Sequence, residues 1–229
     1  MSTNSCNIND NNSSCCSNPS QEAKNLGEYW CDIYTDADIT KLGWYEVTSK
    51  PSLELIEKCQ LTKNAKLFNA GVGASTLIDS LIAKDYTNII ANDISSCALN
   101  KIKVRLGNKA TNVQWLVDDL TKPILLNDLP QLDLWNDRAV LHFFTAEKDQ
   151  DTYFNLLKNK VKSKGFVILA AFNLQGATMC SGLPVKRYNA TMLSEKLGDD
   201  FKLLTNFDYD YTMPSGENRK YVYTLFQRI

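Results

Sequence analysis

The chain has 229 residues, 44% of them hydrophobic and 22% charged, with a formal net charge of -1 at pH 7. This is the composition of a soluble globular protein large enough for one substantial core, and it excludes a global positive field able to hold nucleic acid. No apolar run approaches the roughly 20 residues that span a bilayer, so no membrane partner is expected.

Residues 1–20 hold twelve Asn or Ser and almost nothing apolar, too little to offset the entropy of ordering, and are expected to form a disordered, dispensable tail. Cys6, Cys15 and Cys16 lie in it, and the adjacent pair is open to a soft metal or to modification. No metal site is expected. Seven cysteines without paired spacing point to reduced thiols and a cytoplasmic location.

Residues 21–229 are expected as one domain, with a helical cap over 21–60 and an α/β core over 66–229. Leu26, Tyr29, Trp30, Ile33 and Tyr34 fall on one face of a short amphipathic helix. Gly43-Trp44-Tyr45-Glu46 precedes a second helix over 51–60, with Pro51 in its first turn. So much aromatic surface ahead of the first strand either packs on the sheet or closes over a ligand site.

The stretch from Lys66 to Ser95 reads strand, glycine turn, helix, strand. Lys66–Ala70 is apolar and ends in Gly71-Val72-Gly73. Leu77, Ile78, Leu81 and Ile82 recur at helical spacing from Ser75. A second apolar run, 87–91, closes on Asp93. Glycines at such a turn admit a ligand where a Cβ would clash, and an acid about 20 residues on can accept ribose hydroxyls. The third glycine of a dinucleotide fingerprint is absent, since the turn continues Ala74-Ser75-Thr76. A nucleoside cofactor without a diphosphate is therefore favoured over NAD.

Beyond Asp93 the pattern predicts a helix over 96–106, with Lys101, Lys103 and Arg105 of the basic cluster that ends at Lys109 on its solvated face. A strand over 112–117 ends in Asp118-Asp119 and a strand over 132–136 ends in Asp137-Arg138. A helix over 147–160, a fully apolar strand over 165–172 and a loop over 173–187 follow. A helix over 191–197 leads to two strands, 201–211 and 220–228, joined across Pro214-Ser215-Gly216. Strands alternating with helices imply a doubly wound, mostly parallel sheet with helices on both faces, and the short final turn requires an antiparallel last strand. Ligands in such sheets sit at the carboxyl ends of the strands.

Over roughly Tyr29 to Ile229 this combination resembles the class I, seven-β-strand, Rossmann-like methyltransferases that use S-adenosyl-L-methionine. The resemblance implies that Ala70, Gly71 and Gly73 approach the methionine part of that cofactor and that Asp93 binds the ribose with Ile94 beside the adenine. It implies Asp119 at the adenine amine, helped by Asp118 and Leu120, with Asn69 and Asn136 completing the cofactor set. The segment Asn136 to Phe143 would lie under the methyl donor and face the acceptor. The family usually carries Asp or Glu where this chain has Asn69, which can hydrogen-bond but lacks the charge that would face the cofactor's ammonium. The Tyr29-Trp30 and Trp44-Tyr45-Glu46 elements are similar to the N-terminal segment of a bacterial subgroup and, more distantly, of some protein-lysine methyltransferases.

The implied activity is methyl transfer to a small molecule or a protein side chain, by a monomer or small homo-oligomer. Alternatives are a silent cofactor-binding module, a thiol- or arsenic-type methyltransferase using Cys180, or a nicotinamide-dependent reductase. Asp137 is expected to orient the acceptor or to pair with Arg138. His142, the sole histidine, is expected to take a proton or to be packed in the core. Trp44, Tyr45, Arg138, Arg187 and Tyr188 are the expected lid and acceptor contacts.

Overall fold

The computed structural model describes residues 25–229, so the expectations for the first twenty residues, including Cys6, Cys15 and Cys16, lie outside the described residues. Helix α1 (Leu26–Asp36) starts where the side chain of Asn25 accepts the N–H of Glu28 at 2.9 Å. A 3₁₀ turn (Ile39–Lys41) leads to α2 (Lys50–Lys58), which carries Pro51 in its first turn as expected. Strand β1 (Lys66–Ala70) then runs into the glycine turn. Helix α3 (Leu77–Ala83) begins two residues later than the periodicity suggested, because the hydroxyl of Ser75 accepts the N–H of Leu77 at 3.0 Å ahead of the first turn. Strand β2 (Asn88–Asp93) includes the acid as its last residue.

Helix α4 (Ser96–Leu106), capped by Ser95, is followed by β3 (Val113–Val117), β4 (Leu132–Arg138), α5 (Glu147–Lys160) and β5 (Val161–Phe172). Strand β5 starts four residues before the expected 165, with a register shift where its partners pass from Leu132 to Leu134. The loop after it holds a small hairpin, β6 (Met179–Cys180) with β7 (Leu183–Pro184). Helix α6 (Ala190–Leu197) leads into β8 (Phe201–Thr212) and β9 (Asn218–Arg228).

The seven-stranded sheet has the order β3-β2-β1-β4-β5-β9-β8, and β9 alone runs against the other strands. From β1 the chain winds outward through β2 and β3, then returns to place β4 on the other side of β1. The switch point between β1 and β4 is where such sheets open a crevice. One face buries Leu67, Leu134, Ile168, Phe172 and Tyr221 against α2, α3 and α4. The other buries Phe68, Trp135, Leu169 and Phe226 against α5 and α6. Successive strand residues point to opposite faces, so Asn136 and Arg138 share the side of Leu134, while Asp137 shares the side of Trp135.

The basic residues of α4 are not simply a solvated face. Arg105 bonds Asp79 at 3.0 Å and the Ala74 carbonyl at 3.0 Å, and Lys101 reaches the Ala37 carbonyl at 3.2 Å. They tie α4 to α3 and to the end of α1. The expectation of reduced thiols is corrected at Cys31 and Cys97, which form a disulfide between α1 and α4, their Cα atoms 5.1 Å apart and 66 residues apart in sequence. Among the described residues Cys59 and Cys180 are free thiols.

A cross-link closing a loop of that length removes unfolded-chain entropy. Cys31→Ser, or reduction of the native chain, is expected to cost about 2 to 4 kcal/mol of stability. Urea unfolding with and without reductant measures it. An unchanged midpoint would show that α1 holds its place without the bond.

Candidate functional site

A cavity of about 670 Å³ opens at the carboxyl ends of β1, β2, β3 and β4. Its floor begins at the glycine turn. Gly71 (φ +51°) and Gly73 (φ +53°) both sit in the left-handed region, and a Cβ would strike Val140 at the first and the Tyr34 hydroxyl at the second. The turn is thus required by backbone conformation and by packing, as well as by any ligand. Gly71 and Ala70 line the cavity, whereas Gly73 acts through its N–H, which donates to Asp93 Oδ2 at 2.7 Å.

Asp93 Oδ1 accepts the N–H of Ser95 at 2.8 Å. Burial pushes this carboxyl up to about 6 even though the Ser95 and Gly73 N–H groups favour its charge. With the Ile94 N–H as a third donor, the carboxylate still has room among its about four acceptor sites. Asp118 is more fully occupied: it accepts from Asp119 N at 3.0 Å, Ile124 N at 2.9 Å and Leu126 N at 2.8 Å, and so builds the loop after β3. Asp119 accepts from the Thr121 N–H at 2.8 Å and hydroxyl at 2.7 Å, both through Oδ1. Ile94, Leu120 and both of these acids line the cavity.

Three buried carboxamides lie at the end of the central strands. Asn136 donates to Asn69 Oδ1 at 3.3 Å, the two residues being paired in register between β1 and β4. Asn92, which the sequence reading passed over, donates to the carbonyls of Leu116 and Asp118 at 3.2 and 3.0 Å. All three line the cavity, and Oδ1 of Asn92 and of Asn136 has no protein partner. Such orphaned acceptors point to a ligand with donors to offer.

Aromatic residues roof the cavity. Trp44 donates its indole N–H to the Tyr34 hydroxyl at 3.0 Å and lies edge-on to Trp30, with ring centroids 5.8 Å apart. Trp30 in turn meets Phe143 at 5.2 Å. The Tyr29 hydroxyl donates to the Ser181 carbonyl, clasping α1 to the β6–β7 hairpin, and the Tyr211 hydroxyl donates to the Tyr45 carbonyl. Arg138 at the end of β4 anchors this roof. Its Nε lies 3.2 Å from Glu46 Oε2 and 3.1 Å from the Tyr223 hydroxyl, Nη1 donates to the Trp44 carbonyl at 3.2 Å, and the guanidinium stacks over Tyr211 and Tyr221.

Four expected site residues lie elsewhere. Asp137, expected to face the acceptor or pair with Arg138, is fully buried on the α5 face. There it accepts the Tyr153 hydroxyl at 2.7 Å and the N–H groups of Val140 and Leu141 at 3.0 and 3.2 Å. Strand alternation is the reason, and Glu46 takes the place it was expected to fill beside Arg138. His142 is also fully buried, its ring packed on Phe143 and Phe172 and both nitrogens without partners. Burial, reinforced by the charge of Arg138, holds it down to about 3, so it stays neutral and takes no proton from the cavity. Tyr188 is buried in the α5/α6 core, and Arg187 donates to the Leu174 carbonyl at 2.8 Å outside the cavity lining. Trp44, Tyr45 and Arg138 do line it. Glu46, Ser49, Ser52 and Tyr34, none of them expected as site residues, join them; their proximity depends on α1 and α2 folding over the strand ends. Among the described residues, no cluster of three or more His, Cys, Asp or Glu could hold a metal.

No protein-family model and no curated protein matches the chain. Solved structures do. An S-adenosylmethionine-dependent methyltransferase from Anabaena variabilis superposes with a TM-score of 0.71 at 15% identity, over 89% of this chain and 93% of that one. The N-methyltransferase NodS from Bradyrhizobium japonicum, in complex with S-adenosyl-L-homocysteine, gives 0.66 at 11% identity over 90% and 99%. An enzyme that converts a disulfide into a thioacetal during echinomycin biosynthesis gives 0.67 at 13% over 89% and 93%. At these identities the likeness shows the shared Rossmann-like fold alone.

The burial of Asp137 sets a pH dependence. Its carboxyl is raised to about 6, chiefly by burial and against the hydrogen bonds from Tyr153, Val140 and Leu141. The folded state therefore keeps a proton that the unfolded chain releases near pH 4, and this contribution to stability is lost as pH rises through 6. Wild type should lose roughly 1 to 3 kcal/mol relative to Asp137→Asn between pH 4 and pH 7. Urea unfolding of both chains at the two pH values measures it, and a pH-independent difference would show that burial does not perturb the group.

Proposed function

We propose that this chain is a methyltransferase that binds S-adenosyl-L-methionine in the cavity at the β1/β4 switch point. The observation that carries the reading is the row of strand ends: Ala70 and Gly71 after β1, Asp93 ending β2 and Asp119 after β3 all line the one cavity. A relative of the same fold holds S-adenosyl-L-homocysteine. The residues fit such a group, since the orphaned Asn92 and Asn136 oxygens in the cavity lining ask for a ligand with donors to offer.

In this reading Asp93 accepts the ribose hydroxyls, Ile94 and Leu120 flank the base, and Asp119 receives its exocyclic amine. When bound, the cofactor supplies a methyl group on a sulfonium for a single in-line displacement. The chain's part is then to position and to exclude water. Trp30, Trp44 and Phe143 close the roof over the strand ends, and their faces suit a positive charge below them. Neither His142 nor Asp137 reaches the cavity, so the acceptor has to arrive with a lone pair ready or lose its proton to water. The roofed cavity favours a small molecule or a single inserted side chain as acceptor. A nicotinamide dinucleotide is served less well, because Thr76 stands where a third glycine would let a helix N-terminus receive its pyrophosphate.

Calorimetry is expected to show saturable binding of S-adenosyl-L-homocysteine and none of NAD. Asp93→Ala should weaken that binding by about 1.5 to 3 kcal/mol, the range for hydrogen bonds to a charged group. Binding of NAD alone, or an unchanged dissociation constant in the folded variant, would overturn the assignment. Turnover against a panel of extracts with labelled methyl donor then separates an enzyme from a silent binding module.

A further inference from the structure

A cofactor that ends in an α-amino acid brings an ammonium and a carboxylate, and an ammonium taken from water into a cavity wall needs a negative partner. Asn69 brings no charge, and its Oδ1 is already bonded to Asn136 at 3.3 Å. The carboxylates that line the cavity are those of Glu46, Asp93, Asp118, Asp119 and Asp149. Three of these stand at the ends of β2 and β3, on the nucleoside side, and Asp149 lies in the first turn of α5.

Glu46 is placed differently. Its carbonyl accepts the Thr76 hydroxyl at 3.0 Å, which pins the residue to the glycine turn, and its carboxylate lies beside Arg138 with the Ser49 hydroxyl donating to it. Burial pushes the carboxyl up in spite of Arg138, so a second cation in the cavity would stabilise its charged form. Three residues past Ser49, in the first turn of the nine-residue helix α2, Ser52 lines the same cavity at 1% exposure, and its hydroxyl has no partner. At this helix start Pro51 has no N–H and the Lys50 N–H donates to the Thr48 carbonyl at 2.8 Å. The spare Ser52 hydroxyl, at the positive end of the helix, is a donor left for a carboxylate.

We infer that the segment Glu46 to Ser52 is the subsite for the amino-acid tail of the cofactor, Glu46 taking the ammonium in place of the charge absent at Asn69, and Ser52 with the start of α2 taking the carboxylate. This rests on the methyltransferase reading above. It assigns the two ends of the cavity to opposite tasks, the nucleoside at β2 and β3 and the zwitterion at the roof segment that Arg138 holds.

The test uses two probes with the same nucleoside and sulfur, S-adenosyl-L-homocysteine and 5′-methylthioadenosine, the second lacking the amino-acid tail. Glu46→Gln keeps a hydrogen bond to Arg138 and removes the charge. By calorimetry it should weaken binding of the first probe about 10- to 100-fold. Binding of the second should stay within about threefold of wild type. Ser52→Ala should shift the two probes in the same unequal way. Equal losses for both probes would show that Glu46 only supports the roof, and unchanged affinity for the first would show that the tail lies elsewhere; either result overturns the inference. Wild-type chain that binds neither probe would remove the cofactor reading itself, and this inference with it.

Discussion

The architecture of the site depends on one half-buried cation, Arg138. A guanidinium keeps its proton under all ordinary conditions, so Arg138 needs partners where it leaves water; Nη2 has none in the protein, and Nε, Nη1 and the guanidinium face have theirs. These partners come from three separate parts of the chain: Glu46 and the Trp44 carbonyl from the segment before α2, Tyr211 from β8, and Tyr221 and Tyr223 from β9. Meeting the needs of that one side chain brings the N-terminal roof down onto the strand ends. It also joins the roof to the C-terminal hairpin, so the cavity is lined by segments far apart in sequence.

Charge inside the cavity is correspondingly divided. The middle of the floor is neutral, built from the carboxamides of Asn69, Asn92 and Asn136. The cavity's lining acids come from different elements, Asp93, Asp118 and Asp119 from the ends of β2 and β3, Asp149 from α5 and Glu46 from the segment before α2. Of these, Asp93 is tied to the glycine turn through the Gly73 N–H, so the shape of the turn and the placement of the acid are one feature. The disulfide between Cys31 and Cys97 fixes α1 to α4 on the same side of the sheet. The aromatic roof is therefore held from its helix by a covalent bond and from its loop by Arg138.

Two residues that chemistry would nominate for catalysis serve packing instead. Asp137 is the last acid on β4, yet the two-residue period of a strand sends it to the face of Trp135 and into the reach of Tyr153. That parity is legible from Leu134 and Trp135, since only every second residue at the end of a strand faces the cavity. His142 follows in a short 3₁₀ turn that tucks its ring between two phenylalanines, a placement no local pattern announces.

Local periodicity determined much of this protein. The apolar runs and glycine turn from Lys66 onward specify a βαβ unit, the strand-end acids Asp93 and Asp119 mark the cavity edge, and the short Pro214-Ser215-Gly216 connection demands an antiparallel final strand. These are decisions a chain makes within a dozen residues, through backbone sterics and side-chain period. Only the tertiary structure decided that Cys31 meets Cys97, that Glu46 meets Arg138 across the cavity mouth, and that Asp137 and His142 turn inward. Those contacts join residues from elements packed by hydrophobic burial, whose relative placement depends on the shapes of two cores at once and leaves no periodic trace along the chain.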